Sequence, residues 1–174
     1  MKYAIGYLLC LIVSITAVAQ KDQALYIGPG FGFDHGGIGL KAEFQPEKHI
    51  GIFAGAGYNL ASIGANAGLI YNILPGNRIT PVLTAMYGYN AVIKVTYLNG
   101  KDYGVYNGLT AGLGADFKLG RSQSNKINVN FLVPFRNSSF FSAYNNLRQN
   151  GEITQDMLPI AFSFGWNYNI LYRR

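Results

Sequence analysis

Large apolar residues recur at every second position through most of this chain. The clearest run covers residues 158 to 170, where seven apolar residues alternate with small or polar ones. Side chains of a β-strand point alternately to the two faces of a sheet, whereas an amphipathic helix repeats every 3.6 residues. The sequence therefore predicts strands, and it holds no helical period of useful length.

Seven further segments show the same alternation, separated by turn residues, which makes eight predicted strands. Their apolar faces together hold 45 positions, and none of these is charged or glycine. The predicted strands cover residues 25 to 33, 38 to 44, 50 to 60, 63 to 73, 78 to 90, 108 to 119, 127 to 135 and 158 to 170. Eight such strands with mostly short links predict an antiparallel barrel.

Two kinds of barrel fit this pattern. In a soluble barrel the apolar face is inside, whereas in a membrane barrel it meets lipid and the polar face lines the interior. Charged residues make up 13% of the chain, against about 25% in an ordinary soluble domain. The second face is rich in glycine, which suits a crowded lumen, at positions 28, 30, 32, 39, 51, 55, 57, 64, 68, 88, 108, 112, 114 and 165. We therefore expect an all-β fold, an eight-stranded antiparallel transmembrane β-barrel with an up-and-down meander.

The first 19 residues have the features of a secretory signal peptide. Lys2 precedes a long apolar stretch, and residues 17 to 19 form an Ala-Val-Ala cleavage site. A membrane anchor is the alternative, but the stretch is short for a bilayer span. We expect the mature chain to begin at Gln20 and to form one barrel domain, residues 20 to 174.

A cleaved signal, eight alternating strands and a last strand rich in aromatics resemble the small outer-membrane barrels of Gram-negative bacteria, the OmpA/OmpX-like proteins. The resemblance is one of pattern across residues 20 to 174 and not of a motif. It implies the bacterial outer membrane, a lipid bilayer as partner and both termini in the periplasm; we expect a monomer. One departure is that Arg173 and Arg174 follow Tyr172, where such barrels usually finish on an aromatic residue.

Few charged residues fall on the predicted inward face. Opposite charges in a low-dielectric interior pair, because an unpaired charge there is costly. We expect these residues to plug the lumen, since eight strands leave a space that side chains fill. The alternative is a narrow channel for small or apolar solutes with a charged constriction. The predicted lumen charge network is Lys41, Glu43, Arg78, Asp116, Lys118 and Arg136.

The link between the fifth and sixth strands holds the strongest hairpin signal, Asn99-Gly100. We expect residues 91 to 107 to protrude as an extracellular hairpin. A two-residue turn at Asn99-Gly100 does not match the parity of the lipid-facing positions, so a bulge is required and we place it at Gly104. The hairpin edge could accept a partner strand; the alternative is a loop extension without a partner.

Residues 137 to 157 form the other long link, a loop with several aromatic residues. Long loops at a barrel rim often bind ligands. We expect the two outer segments to act in surface binding, adhesion or envelope integrity, with an extracellular protein or a small molecule as ligand. The surface-binding candidates are Tyr97, Asn99, Gly100, Tyr103, Phe140, Phe141 and Tyr144.

An enzyme is the hypothesis from another class. We place His35, beside Asp34, in the first turn at the outer rim and His49 at the opposite rim, so they cannot share a site. Asp34 and His35 with a loop serine form the one catalytic possibility, but turn chemistry also explains an Asp at that place. We therefore expect no catalytic residue and no cofactor.

Metal and nucleic-acid sites have little support. The chain has two histidines, and Cys10, its only cysteine, would leave with the signal. Transition metals in proteins need several such ligands, so we expect no metal site. The net charge of +6 is mild and the basic residues are scattered, so we expect no nucleic-acid partner.

Overall fold

Eight antiparallel strands close into a barrel in a computed structural model, which describes residues 23–59, 62–97, 100–149 and 159–172. Of residues 92–97 and 100–103 it describes the backbone. Each strand pairs with the next, and β8 pairs with β1. The predicted eight-stranded up-and-down barrel is thereby confirmed. The strands are β1 Ala24–Gly32, β2 Gly37–Gln45, β3 Ile50–Tyr58, β4 Ile63–Asn72, β5 Ile79–Tyr97, β6 Gly100–Leu119, β7 Asn125–Phe135 and β8 Ala161–Asn169.

The apolar face points outward. One row of the sheet runs through Leu83, Leu113, Phe131 and Phe162, which are paired across β5 to β8. All four are exposed although they are large and apolar. Such a continuous apolar exterior belongs in lipid, because a soluble monomer rarely exposes apolar patches of this extent.

Two residues predicted for the outer face lie inside instead. Phe33 and Tyr89 form an edge-to-face ring pair with centroids 5.3 Å apart. Phe33 turns inward because β1 ends at Gly32, whose φ of 125° only glycine adopts readily. Tyr89 turns inward because it adjoins a bulge in β5.

The barrel has two different ends. At the termini end, β1 begins and β8 ends. At the opposite end, β5 and β6 continue past their neighbours as a hairpin; we call this the hairpin end. These two strands have 19 and 20 residues, about twice the length of most others, so the predicted protruding hairpin is present.

The β5–β6 register corrects two details of the hairpin prediction. The bulge lies between Tyr89 and Ala91, whereas Gly104 is regularly paired with Ile93. Beyond the bulge Tyr97 pairs with Gly100, so Gly100 is a strand residue and not a turn residue. Asn99 lies outside the described residues.

Asn90 explains the position of the bulge. Its side chain is fully buried, and its amide donates to the carbonyl oxygens of Leu109 and Phe135, 3.4 and 3.2 Å away. Asn90, the unpaired residue of the bulge, therefore provides hydrogen bonds to carbonyl groups of β6 and β7. Gly108 provides the room, since a Cβ there would overlap the Asn90 amide.

The predicted loop after β7 contains a helix, α1, Ser138–Gln149. The Asn137 side chain caps it by accepting a hydrogen bond from the Phe140 amide, 2.9 Å away. Phe140 and Tyr144, one helical turn apart, are its buried residues. Within the described residues no helix is long and apolar enough to cross a membrane.

Candidate functional site

The turn between β1 and β2 folds back into the lumen. Phe33–His35 forms one 3-10 turn, and it contacts β1, β2, β3, β4, β5 and β8. The exposed fractions of Asp34 and His35 are 1% and 0%. The sequence prediction that placed both residues at the outer rim is therefore wrong: the turn is an internal plug, which we call the lumen turn.

Asp34 is the centre of a buried hydrogen-bond network. Its Oδ1 accepts from His35 Nδ1 at 2.8 Å and from the Ser163 hydroxyl. Its Oδ2 accepts from Lys41 Nζ at 2.8 Å and from Asn130 Nδ2 at 3.3 Å. An ionised carboxylate only accepts hydrogen bonds, so four donors satisfy it without a water molecule. The network joins the lumen turn to β2, β7 and β8.

The hydrogen-bond network around Asp34, a residue of the lumen turn and not of a strand, determines the pKa of its carboxyl group. Burial alone would raise the pKa of its carboxyl, but the Lys41 ammonium and the hydrogen bond from His35 outweigh burial and hold the pKa well below its ordinary value. The carboxylate therefore stays ionised at any pH near neutral.

His35 fixes the turn against the seam where the barrel closes. Because Asp34 accepts at Nδ1, that nitrogen carries the proton. The other nitrogen, Nε2, is buried, has no hydrogen-bond partner among the described residues and lies close to Gly30 of β1 and Gly165 of β8. A Cβ at Gly30 or at Gly165 would overlap it. Glycine at these two places is what lets the imidazole fit.

Asn66 holds the opposite side of the lumen turn. Its amide donates to the Phe33 carbonyl oxygen at 2.5 Å and to the Tyr89 carbonyl oxygen at 2.8 Å. One buried side chain on β4 thus ties the turn to the β5 bulge. This side of the lumen is apolar, and Phe33 and Ala161 pack there on a cluster of Phe53, Ile70, Val82, Met86 and Leu132.

A second ion cluster lies nearer the termini end. Lys126 Nζ lies 2.7 Å from Glu43 Oε1 and 2.7 Å from Asp116 Oδ2. The same ammonium sits over the Tyr26 ring, 4.3 Å from its centroid. Gln45 Nε2 donates to Glu43 at 2.6 Å. Both clusters are buried, so opposite charges cross-link strands on different sides of the lumen.

The six residues of the predicted charge network have different positions. Lys41, Glu43 and Asp116 are buried in the two ion clusters. Lys118 is half-buried at the termini end and donates to the Pro75 carbonyl oxygen.

Two further members of the predicted network, like Lys118, lie outside the two ion clusters. Arg78 is exposed, because it precedes β5, which begins at Ile79, and so it does not belong to the lumen. Arg136 lies at the hairpin end, its guanidinium 5.3 Å from the centroid of the Phe140 ring.

Three important lumen residues were missed by sequence reasoning. Lys126 was assigned to the link before the seventh strand, although it has the same parity as the inward Asn128 and Asn130 and could have been placed with them. Asp34 was attributed to turn chemistry and His35 was placed at the outer rim, and nothing in the sequence indicates that a turn enters a barrel. Within the described residues no three metal-ligating side chains come close enough to hold a metal ion.

The aromatic residues of α1 pack on the base of the hairpin. Phe140 and Tyr144 are buried and form a cluster with Ala91 and the partly buried Tyr106. The Phe140 and Tyr106 rings meet edge to face, 5.3 Å apart. Two of the binding candidates, Phe140 and Tyr144, thus brace the hairpin and do not face solvent.

The other surface-binding candidates are less confined. Phe141 is 44% exposed on the free side of α1. Tyr97 and Gly100 form the last pair of the ladder before the turn, and Tyr103 pairs with Lys94. The side chains of Tyr97 and Tyr103 lie outside the described part of the chain.

Comparisons with known proteins give a structural match but no sequence match. No protein-family model matches the chain, and no curated protein matches it. Among solved structures the chain is similar to the N-terminal β-barrel domain of Pseudomonas aeruginosa OprF, with a TM-score of 0.53 and 9% identity, over 86% of this chain and 98% of that one. An identity this low shows the fold alone. The chain therefore has the fold of the small eight-stranded OmpA-like outer-membrane barrels.

Proposed function

We propose that this protein is a non-enzymatic barrel of the bacterial outer membrane that binds an extracellular protein or small molecule at its hairpin end. The observation that carries the proposal is the β5–β6 arm. Beyond the bulge, Ala91 to Tyr97 pair with Gly100 to Tyr106 in an unbroken ladder. At about 3.3 Å per residue this arm projects about 20 Å past the bulge. Neighbouring strands do not pair with it within the described residues.

The arm is braced, which favours a binding role over a slack loop. Helix α1 packs Phe140 and Tyr144 on its base, and Asn137 donates to the Asn107 carbonyl oxygen at 3.3 Å. A rigid surface loses less conformational entropy when a partner binds. The open strand edges offer backbone donors and acceptors to a partner strand.

The lumen supports a surface role more than transport. The predicted alternative, a narrow channel for small or apolar solutes, requires a continuous path. For that path the lumen turn would have to leave its site, which breaks the Asp34–Lys41 ion pair inside the barrel. Leaving one member of a buried ion pair without its partner costs about 3–5 kcal/mol, and this cost opposes opening of a path through the lumen.

The arrangement of Ser163, Asp34 and His35 supports a non-enzymatic role. Nucleophilic catalysis needs a serine hydroxyl bound to the histidine that removes its proton. Here the Ser163 hydroxyl donates to Asp34, and all three residues are buried away from solvent.

Cells that display the protein test the proposal. In one variant, residues 92 to 105 are replaced by an Asn-Gly turn between the paired residues Ala91 and Tyr106, which should close the shortened hairpin. We expect adhesion and resistance to detergents to fall to the level of cells without the protein. Gly76→Ser, in the turn at the opposite end, is the matched control.

Heat-modifiable migration on a gel shows whether each variant still forms a barrel. A folded arm-deletion variant with adhesion and detergent resistance equal to those of the full protein would contradict the proposal. Sustained conductance of the full protein in planar bilayers would favour the channel instead.

A further inference from the structure

A polar cavity opens at the termini end of the barrel, away from both the lumen turn and the hairpin. Its volume is about 320 Å³, and it lies beneath the turns that follow β2, β4 and β6. The residues that matter for its chemistry are Lys48, Asn72, Asp116, Lys118 and Lys126. The surface-binding role does not use this cavity.

The cavity carries an excess of positive charge. Three lysines line it, Lys48, Lys118 and Lys126, and Asp116 is the one carboxylate-bearing residue among the lining residues. That carboxylate is already bonded to Lys126, which also binds Glu43.

Lys118 is the ammonium best placed to bind an anion. Its described partner is a neutral carbonyl oxygen, that of Pro75, and it forms no ion pair with any described residue. An ammonium group has three donors, so this contact leaves two of them for a ligand. Arg78 and Arg121, exposed at the same end, add to the positive field.

The cavity also has a buried acceptor that lacks a donor. Asn72 is 3% exposed; its Nδ2 donates to the Lys48 carbonyl oxygen at 2.9 Å, but its Oδ1 accepts no hydrogen bond from any described residue. A buried acceptor without a hydrogen-bond donor destabilises the folded state. A ligand whose hydroxyl group donates a hydrogen bond to Asn72 Oδ1 would satisfy this acceptor.

We propose that the cavity binds a phosphate ester that carries a hydroxyl group. The phosphate contacts the ammonium group of Lys118, and the hydroxyl donates a hydrogen bond to Asn72 Oδ1. Two sources share this chemistry: the phosphoglycerol headgroup of a lipid in the adjacent leaflet, and a soluble polyol phosphate.

Calorimetric titration of the full mature chain in an uncharged maltoside detergent tests the proposal. One arm uses glycerol phosphate and the other uses short-chain phosphatidylglycerol below its micellar concentration. Saturable binding in either arm supports the site, and the arm with the higher affinity identifies the source. Methyl phosphate, which lacks the polyol hydroxyls, is the comparison ligand.

Two variants locate the ligand. Lys118→Gln should weaken binding by about tenfold or more, whereas Arg121→Gln, which removes the same charge outside the cavity, should change it less than about twofold. Asn72→Leu should remove the preference for glycerol phosphate over methyl phosphate. Heat-modifiable migration verifies that each variant is folded.

Two results would overturn the proposal. Absence of saturable binding in both arms would mean that the cavity holds water only. Equal weakening by Lys118→Gln and Arg121→Gln would mean that the positive field at this end, and not the cavity, attracts the phosphate.

Discussion

Removal of the Asp34 carboxylate breaks the most interactions of the lumen network in a single substitution, because four donors bind to it. In Asp34→Ala, the Lys41 ammonium, 1% exposed, loses the carboxylate that lies 2.8 Å away. Loss of one partner of a buried ion pair costs about 3–5 kcal/mol. The Ser163 hydroxyl and the Asn130 amide also lose an acceptor. We therefore expect the free energy of unfolding to fall by at least about 3 kcal/mol.

Urea-induced unfolding in lipid vesicles, followed by tryptophan fluorescence, measures this change. Glu47→Ala is the matched control, because it removes an exposed carboxylate at the opposite end of the barrel, and we expect a change below about 0.5 kcal/mol. Asp34→Asn should also destabilise the barrel, since the buried Lys41 ammonium loses the carboxylate with which it pairs. Adding Lys41→Met to Asp34→Asn should recover much of the loss, because neither member of this ion pair is then left as an unpaired charge.

Equal free energies of unfolding for Asp34→Ala and Glu47→Ala would show that the Asp34 carboxylate does not stabilise the fold. If the effects of Asp34→Asn and Lys41→Met on the free energy of unfolding simply add in the double variant, the two residues do not interact.

Three further predictions concern the same architecture. Gly165→Ala places a Cβ 2.5 Å from His35 Nε2 and should lower the free energy of unfolding by about 1–3 kcal/mol. Gly76→Ala is the control, because a Cβ there meets nothing within 4 Å, and it should leave chemical unfolding unchanged. Equal stability of the two variants would refute the close contact. The pKa of Asp34 is lower in the folded state than in the unfolded state, so its ionisation stabilises the fold fully above the unfolded-state pKa of about 3.9. This stabilisation is lost as the pH falls through the lower folded-state pKa. If urea unfolding at a series of pH values showed the Asp34 contribution to be lost between pH 7 and 5, the lowered pKa would be contradicted. Phe140→Ala should release α1 from the hairpin base and speed proteolysis of the helix while the barrel remains heat-modifiable, and unchanged proteolysis would mean that α1 does not depend on this contact.

The strands were predictable because one physical pattern dominates them. A lipid-facing wall requires an apolar residue at every second position. In segments such as Leu109 to Leu119 and Phe162 to Trp166, this alternation alone shows which side chains face the lipid. The bulge was predictable in kind, because the parity of the two long strands requires one. Its position at Asn90 was not, since it depends on hydrogen bonds to carbonyl groups of Leu109 and Phe135, which are distant in sequence.

The lumen turn could not be predicted from local sequence. Asp34 and His35 in a short link between two strands have the usual composition of an exposed turn. Their burial depends on donors from Lys41, Asn130 and Ser163, up to 129 residues away. The glycines of β1 and β8 were correctly assigned to a crowded lumen, but what crowds it is a backbone turn and not side chains alone.

The helix after β7 was missed for a different reason. Phe140, Ala143, Tyr144 and Leu147 do follow a helical spacing. The segment is short, and several asparagines and serines, which are poor helix formers, interrupt it. Packing on the hairpin base supplies the stabilisation that intrinsic propensity lacks.

The central claim is that the β1–β2 turn occupies the lumen, and nuclear Overhauser contacts of the His35 imidazole test it most directly. In isotope-labelled protein in lipid nanodiscs, we predict contacts from the His35 Hε1 proton to the Hα protons of both Gly30 and Gly165. Absence of both contacts, together with rapid exchange of the His35 ring N–H with water, would place the turn outside the barrel and contradict the account.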